Sequence, residues 1–197
     1  DTGTVREGRR LGSIYHSSPV VVSPPASDIL DEGYNLFRQR PEVLGRPTMI
    51  YVGSNDGILH AFVGADHTFP PSHPLATQTI SEGEELWGFI PSLLLGQLDG
   101  ALSSHRWMVD GSPLVRDIYF ARPAAAQDTG LEYHTVLIQG MRAGGNGFVS
   151  LEITDPLNPE FLWQYMDPLF GNTYGQAAAG QVLIDIGSNV HERGIVV

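Results

Sequence analysis

Residues 47–62 combine two short strands with a tight turn, and this arrangement limits the fold more than any other feature of the chain. The stretch contains Met-Ile-Tyr-Val-Gly and then Ile-Leu-His-Ala-Phe, two apolar runs of strand length. Residues typical of tight turns separate the two runs: Asn55, Asp56 and Gly57. Such a turn between apolar runs predicts an antiparallel hairpin, with positive φ angles in the turn. A polar loop then leads to a third strand at 84–91, which contains Leu86-Trp87.

A second copy of this pattern follows along the chain. Ser112-Pro113 repeats Ser18-Pro19 ahead of an apolar run, and a glycine-rich turn leads into the alternating strand at 148–153. Leu162-Trp163 then repeats the Leu-Trp pair of the first unit. Three glycines are interpreted as residues of the second hairpin turn: Gly144, Gly145 and Gly147. A third unit opens near Gly175.

Repeated four-strand units predict a radial β architecture in which each unit packs against its neighbours. We therefore expect an all-β fold, an incomplete β-propeller of about two to three blades. The chain, 1–197, is interpreted as one partial propeller domain, with blade-like units at 11–91, 106–167 and 174–197. Long loop insertions are expected at 23–47, 63–83 and 121–133. The spacing of the leucines predicts a short helix near 92–103.

The two ends of the chain suggest a piece of a larger protein. Residues 194–197 are expected to start a strand that has neither a turn nor a partner. Two and a half blades would leave open sheet edges and half-buried apolar faces. The polar start, Asp1-Thr-Gly, shows no signal peptide and is consistent with a cut inside a longer chain.

Composition argues against several classes of protein. The formal net charge of −11 argues against binding to nucleic acid, because phosphate groups require a basic surface. The absence of cysteine excludes disulfides and thiolate metal sites. No apolar run approaches the roughly 18 residues of a membrane-spanning helix.

Candidate metal ligands have a simpler interpretation in each case. Asn55 and Asp56 offer oxygen ligands, but calcium takes about six to eight and nothing nearby completes the set. The Asp110-Gly111 pair is interpreted as a turn in the same way. His67 and His73 lie in a proline-rich loop without a third zinc ligand, so we expect solvated histidines.

The sequence evidence for catalytic residues is equally weak. His60 lies in an alternating strand and is expected to be a core or interface histidine with one hydrogen bond. The glycine-rich turn at 143–147 lacks the Lys-Ser/Thr of a phosphate-binding loop. Three serines precede strands but lack a Gly-x-Ser-x-Gly elbow: Ser17, Ser18 and Ser112. The sequence therefore predicts no catalytic residue.

Six segments in register resemble the type IV pilus assembly and adhesin family often called PilY, in its C-terminal β-propeller domain. The segments are 11–22, 46–62, 83–91, 109–120, 144–156 and 170–176. The propeller of that family is in turn similar to those of quinoprotein dehydrogenases, whose Trp-bearing blade ends lock neighbouring blades together. The resemblance implies that Trp87 and Trp163 are blade-docking residues.

The resemblance also implies a function. Members of the family are exported from Gram-negative bacteria, pass through the periplasm and act at the pilus tip on the cell surface. They work with minor pilins, promote pilus extension, and contribute to surface adhesion and twitching motility. Ligands on hosts or surfaces would be bound by an N-terminal region outside this segment. Some members bind calcium in a loop of alternating aspartates, which these residues lack and which we expect beyond Val197.

Several alternatives stay open. The fold is compatible with a periplasmic quinoprotein dehydrogenase that uses pyrroloquinoline quinone (PQQ), and with a carbohydrate-binding propeller. Three loop aromatics are candidates for stacking on a sugar: Tyr34, Phe37 and Tyr174. Within the pilus hypothesis, the unpaired strand at 194–197 suggests donation of an edge strand to a pilin neighbour.

Overall fold

The computed structural model describes residues 11–26, 29–71, 73–101, 104–121, 132–186 and 189–197. Antiparallel strands dominate and no sheet in this part of the chain closes on itself, which confirms the predicted incomplete β-propeller. The strands are β1 (Val20–Val22), β2 (Met49–Gly53), β3 (Leu59–Val63), β4 (His67–Thr68), β5 (Thr79–Ile80), β6 (Glu85–Phe89), β7 (Leu114–Phe120), β8 (Glu132–Gly140), β9 (Gly147–Glu152), β10 (Glu160–Met166), β11 (Ala179–Ile186) and β12 (Asn189–Val196). The helices are α1 (Glu32–Arg38), α2 (Pro41–Leu44), a 3-10 helix (Ser92–Gln97), α3 (Leu98–Ala101) and a second, short 3-10 helix (Pro168–Phe170).

The first sheet has the strand order β1-β2-β3-β6, and the second has the order β10-β9-β8-β7. The strands of the second sheet follow one another along the chain, whereas in the first sheet the hairpin β4–β5 intervenes between β3 and β6; all neighbouring strands of both sheets are antiparallel. The hairpin β2–β3 runs from Met49 opposite Val63 to Gly53 opposite Leu59. This leaves a five-residue loop, and the Ser54 N–H donates to the Ile58 carbonyl across its base.

The expected turn geometry at this loop is wrong in one respect. Among the described residues of the turn, only Gly57 has a positive φ, at 87°. Asn55 and Asp56 instead accept hydrogen bonds, through their side chains, from segments that are distant in sequence. The Asn55 Oδ1 atom accepts from the Met108 N–H at 3.1 Å, and Asp56 Oδ2 accepts from the Gly12 N–H at 3.0 Å. The turn therefore joins three distant segments of the chain.

The two sheets pack face to face over a large apolar core, which we call the first interface. The first sheet contributes Met49, Tyr51, Leu59, Ala61 and Val63, all buried. The second sheet contributes buried residues from β8, β9 and the positions that follow them: Leu137, Met141, Val149, Leu151 and Ile153. Alternate residues of a strand point to opposite faces, so these positions leave the other face of the second sheet free for another neighbour.

The hairpin β11–β12 covers part of that other face and forms the second interface. Buried Ile118, Val136 and Ile138 pack with half-buried neighbours that include Ala177 and Ala179. The expectation that residues 194–197 lack a partner is wrong, because they belong to β12 or directly follow it. Val196 lies opposite Ala179, and the Val197 and Ala178 backbones exchange two hydrogen bonds of 2.8 Å.

The insertion at 23–47 is more than a surface loop. Asp31 caps α1, accepting from the Tyr34 N–H at 2.7 Å. Tyr34, Phe37 and Val43 are buried against Tyr133 of β8 and form a small core of their own. The long side chain of Phe37 and the ring of Tyr34 therefore pin the insertion to the second sheet.

A polar network reinforces this attachment. Arg46 is buried, and its guanidinium donates to Thr135 Oγ1 at 2.8 Å and to the Ser23 carbonyl at 2.8 Å. Asp117 accepts from Thr135 Oγ1 at 2.7 Å and from the Tyr34 hydroxyl at 2.9 Å. Burial lowers the pKa of Arg46, and the nearby Asp117 carboxylate opposes that shift.

The insertion at 63–83 contains the small hairpin β4–β5. Its histidines are half-buried rather than solvated, since His67 and His73 both pack on the ring of Phe69, at centroid distances of 4.8 and 4.5 Å. The helix expected near 92–103 is present as the 3-10 helix followed by α3. In the described part of the chain, no helix is long and apolar enough to cross a bilayer.

Candidate functional site

A small polar cavity of about 90 Å³ lies where the segments that precede β1, β7 and β11 meet the turn after β8. We call it the Arg142 pocket. Its wall includes the side chains of His16, Ser112, Arg142, Thr173 and Tyr174, together with glycines 111, 140 and 175 and residues 176 and 177. Ser112 Oγ accepts from the Ser18 N–H at 2.9 Å, which ties the two Ser-Pro segments together beneath the pocket.

Asp110 holds two of the side chains that line this pocket. Its side chain is fully buried, and Oδ2 accepts from His16 Nδ1 at 2.7 Å and from Arg142 Nη1 at 3.2 Å. A buried carboxylate requires such partners, because desolvation without them is costly. The other oxygen, Oδ1, has no hydrogen-bond partner among the described residues. Asp110, interpreted from the sequence only as part of a turn, is thus a buried carboxylate that holds His16 and Arg142 in place.

Arg142 is held in an unusual backbone conformation. Its φ of 52° lies in the left-handed region, which residues other than glycine seldom adopt. The Arg142 N–H donates to Thr173 Oγ1 at 3.2 Å, and the two residues form an isolated β-bridge. The guanidinium lies over the ring of Tyr174, 5.3 Å from its centroid. Strained positions of this kind persist where the surroundings determine them, and they cluster at functional sites.

An exposed aromatic group lies beside the pocket. Tyr15 is 70% exposed, and its ring centroid lies 5.1 Å from that of Trp107, which is 37% exposed. Both rings contact the imidazole of His16, at centroid distances of 4.5 and 5.3 Å. His105 packs edge-on against Trp107 at 5.0 Å. Because His16 also lines the pocket, the aromatic group and the pocket form one continuous surface.

The three aromatics predicted as stacking residues have different surroundings. Tyr34 and Phe37 are completely buried, so their assignment as sugar-stacking residues is wrong. Tyr174 is exposed and lines the Arg142 pocket. Sequence reasoning missed Tyr15, Trp107, His16 and Arg142, since only the long-range packing of distant segments brings them together.

His60 occupies a second polar cluster, inside the first sheet. It is buried, and it makes two hydrogen bonds instead of the expected one: Nδ1 donates to Glu85 Oε1 at 2.6 Å, and Nε2 donates to Ser54 Oγ at 3.0 Å. Burial by itself lowers the pKa of His60, but the nearby carboxylates of Asp56 and Glu85 outweigh it and raise the pKa. With both ring nitrogens donating, the cluster stabilises the protonated imidazole.

The predicted docking tryptophans lie at the two interfaces. Trp87 in β6 packs on the first interface beside Tyr51, and its indole N–H donates to the Pro156 carbonyl of the second sheet at 2.8 Å. Trp163 in β10 packs on the second interface. Each tryptophan therefore faces the next structural unit along the chain.

The three glycines predicted as turn residues have unequal surroundings, and the structure places Gly147 as the first residue of β9. A β-carbon at Gly144 would overlap the Met108 carbonyl oxygen, whereas one at Gly145 would make ordinary contact with Leu93 at 3.4 Å. A β-carbon at Gly147 would approach Met166 Cγ at 2.9 Å. Arg142, and none of these three glycines, supplies the positive φ of the turn.

The outer strand of the second sheet ends in an exposed apolar surface, which we call the β10 patch. It comprises Tyr165, Met166, Leu169 and Phe170, and Leu169 is 93% exposed. The rings of Tyr165 and Phe170 lie 5.6 Å apart, and Asp167 caps the short 3-10 helix that carries Leu169. Groups of large apolar side chains held in contact at a surface mark interaction sites more often than scattered ones do.

The side chains of the described residues do not form a metal centre of the kinds considered from the sequence. No three histidine, aspartate or glutamate side chains within the described ranges are arranged to hold a metal ion. The sequence also contains no alternating-aspartate run, so the residues present do not fit the calcium loop.

Comparisons with known proteins identify the family. A family model described as the PilY1 beta-propeller domain matches residues 11–189. The type IV pilus biogenesis factor PilY1 of Pseudomonas aeruginosa is 34% identical over 167 residues, which cover 78% of this chain and 12% of that protein. A PilY1 homolog of Xylella fastidiosa is 28% identical over 163 residues, covering 78% of this chain and 11% of the relative.

A solved structure agrees with these matches. The crystal structure of the Pseudomonas aeruginosa PilY1 C-terminal domain superposes with a TM-score of 0.51 at 30% identity, over 76% of this chain and 24% of that one. The chain thus spans about an eighth of the length of the Pseudomonas relative. The match of the family model to most of the sequence, together with the 34% identity to a PilY1 relative over 78% of this chain, shows that this chain belongs to the PilY1 β-propeller domain family.

Proposed function

We propose that the chain is part of a non-enzymatic propeller that supports the assembly and extension of type IV pili. The observation that carries this proposal is the family match across 11–189, joined with relatives named type IV pilus biogenesis factors. In this proposal the protein is exported, acts with minor pilins at the pilus tip, and contributes to surface adhesion and twitching motility.

The structure supports a role in presentation. Two sheets packed through a dry core form a rigid support, and such supports hold exposed binding residues in fixed positions. The β10 patch is the surface that we assign to the pilin partner, because its leucine and aromatic side chains would lose apolar area from water on docking. The hypothesis of strand donation by residues 194–197 is withdrawn, since β12 is already paired with β11.

The experiment is a charge substitution in the full-length protein, expressed in cells that lack their own copy. Leu169→Asp is expected to reduce surface pili and the minor pilins that co-purify with the protein. Its matched control is Leu30→Asp, which places the same charge on a fully exposed leucine outside the patch.

The outcomes separate the parts of the proposal. Loss of pili with Leu169→Asp but not with Leu30→Asp supports the patch as the docking surface. Equal behaviour of the two variants contradicts that assignment. A normal number of pili in cells without the protein contradicts the pilus role itself. Dye-linked alcohol oxidation after addition of PQQ and calcium would contradict the non-enzymatic assignment.

A further inference from the structure

We propose that the Arg142 pocket and the aromatic group beside it bind an acidic saccharide, a sugar that carries a carboxylate such as a uronic acid. The carboxylate would contact Arg142, and the apolar face of the sugar ring would lie on Tyr15 and Trp107. This inference goes beyond pilus assembly and does not rest on the assignment of the β10 patch.

Arg142 is suited to the carboxylate. A guanidinium has five donors in a planar fork that matches a carboxylate, and within the described residues Arg142 uses one side-chain donor, toward Asp110. The ring of Tyr174 lies against the guanidinium and fixes its plane. Asp110 and Thr173 hold the side chain and backbone of Arg142, so the fork is oriented before a ligand arrives.

Tyr15 and Trp107 are suited to the ring. Their exposed faces carry the negative part of the aromatic quadrupole, which attracts the weakly positive C–H groups of a pyranose. The two rings are tilted by 56° to one another and share His16 as a neighbour. Two exposed aromatic rings in contact leave apolar area in water, which is unfavourable. Because the rings lie beside a polar pocket, a ligand bound there would cover part of this area.

The size of the pocket decides which part of the ligand enters it. At about 90 Å³ it is smaller than the roughly 150 Å³ cavity that accommodates benzene in another protein. A carboxylate and the carbon that bears it fit this volume, while the ring has to remain outside, next to Tyr15 and Trp107. A neutral sugar would leave Arg142 unused, and a simple anion would leave the aromatic rings unused.

The net charge of the chain further restricts the class of ligand. A chain with a formal charge of −11 repels densely charged polymers such as nucleic acid at long range. In a ligand with one carboxylate per sugar, the electrostatic attraction is concentrated at Arg142. The neighbouring Asp110 carboxylate is buried and already accepts two hydrogen bonds. The ligand is therefore a saccharide of low charge density.

The test is calorimetric titration of the full-length protein with glucuronate, glucose, acetate, inorganic phosphate and an acidic peptide. Glucuronate is expected to bind at least about tenfold more tightly than each of the others, the ratio that one added carboxylate–arginine contact provides. Arg142→Gln should weaken glucuronate binding about tenfold, and Tyr15→Ala about fivefold. Arg116→Gln and Phe161→Ala, which change exposed residues elsewhere, should leave binding unchanged.

Thermal melting of each variant checks that it is folded, and Tyr15→Ala keeps the test valid if Arg142→Gln does not fold, because Tyr15 is mostly exposed. Equal affinity for glucose and glucuronate would overturn the role of Arg142. Equal affinity for acetate or phosphate would overturn the role of the aromatic rings. Tighter binding of the acidic peptide, or no glucuronate binding at millimolar concentration, would overturn the proposal.

Discussion

The two faces of the second sheet are covered in different ways. Its first interface, against the first sheet, is lined by completely buried side chains from both sheets. Its second interface, against β11–β12, has three buried residues surrounded by half-buried ones, and Leu183 of the hairpin is 72% exposed. The stability of a propeller comes from the burial of both faces of each sheet, so the difference predicts that the first interface contributes more to folding than the second.

The largest effect is expected at the edge of the first interface, where Gly144 lies against the backbone of Met108. Gly144→Ala forces these backbones apart and should cost about 3 kcal/mol or more of the free energy of unfolding. Gly145→Ala, next to it in the same turn, should change stability by less than about 0.5 kcal/mol. Urea denaturation of both variants measures the difference, and a small cost for Gly144→Ala would show that the close approach is absent.

Leu137 and Ile138 compare the two interfaces most simply, because they are neighbours on β8 that point to opposite faces. Leu137→Ala leaves a cavity in a fully buried core and should cost about 4 kcal/mol. Ile138→Ala opens a site with half-buried neighbours and should cost about 2 kcal/mol, near the low end of the range. Equal costs in urea denaturation would contradict the unequal contribution of the two interfaces.

Trp87 and Trp163 extend this comparison to the corresponding positions of two sheets. Trp87→Phe loses the hydrogen bond to Pro156 and should cost about 1.5 kcal/mol. Trp163→Phe should cost about 0.5 kcal/mol, since its indole N–H has no protein partner within the described residues, so only contact area is lost. Thermal melting measures both changes, and a larger loss for Trp163→Phe would reverse the ranking.

The smallest effect concerns pH. Because the pKa of His60 is raised in the folded protein, protonated His60 stabilises the fold below the unfolded value of about 6.5. This contribution is lost as pH rises through the folded-state pKa. The melting temperature of the unsubstituted protein should therefore fall between pH 6 and pH 8. In His60→Gln this decrease should be smaller.

His67 provides the matched control, since burial lowers its pKa. Its protonation below about pH 6.5 opposes folding, so His67→Gln should make the protein more stable at pH 5.5 and leave it unchanged at pH 8. The same pH dependence in both variants would contradict the assigned directions.

Local patterns were sufficient to predict the strands. The apolar run at 49–53 is β2, the alternating run at 148–153 lies within or next to β9, and the Leu-Trp pairs lie in β6 and β10. The leucine spacing likewise predicted the short helical segment that contains Leu94. These features depend on neighbours in sequence, which is why composition and periodicity reveal them.

Features that depend on contacts between distant segments were not predicted from the sequence. Asp110 follows a turn-like pattern, yet its partners His16 and Arg142 come from distant segments. Residues 194–197 were expected to be unpaired because the third unit was interpreted as unfinished, although the sequence Gly187-Ser188 between the two apolar runs is typical of a hairpin and β11 and β12 pair along their whole length. Arg142 is missed for a related reason, since a left-handed arginine is unfavourable locally and is maintained by tertiary contacts.

Hydrogen exchange of the backbone amides tests the central claim most directly, because it reports the stability of each strand separately. The two-interface account predicts that amides of β2, β3, β8 and β9 exchange most slowly, through global unfolding. Amides of β11 and β12 are predicted to exchange faster, through local opening of the second interface. Equal protection of the hairpin and β8, or faster exchange in β8, would contradict the account.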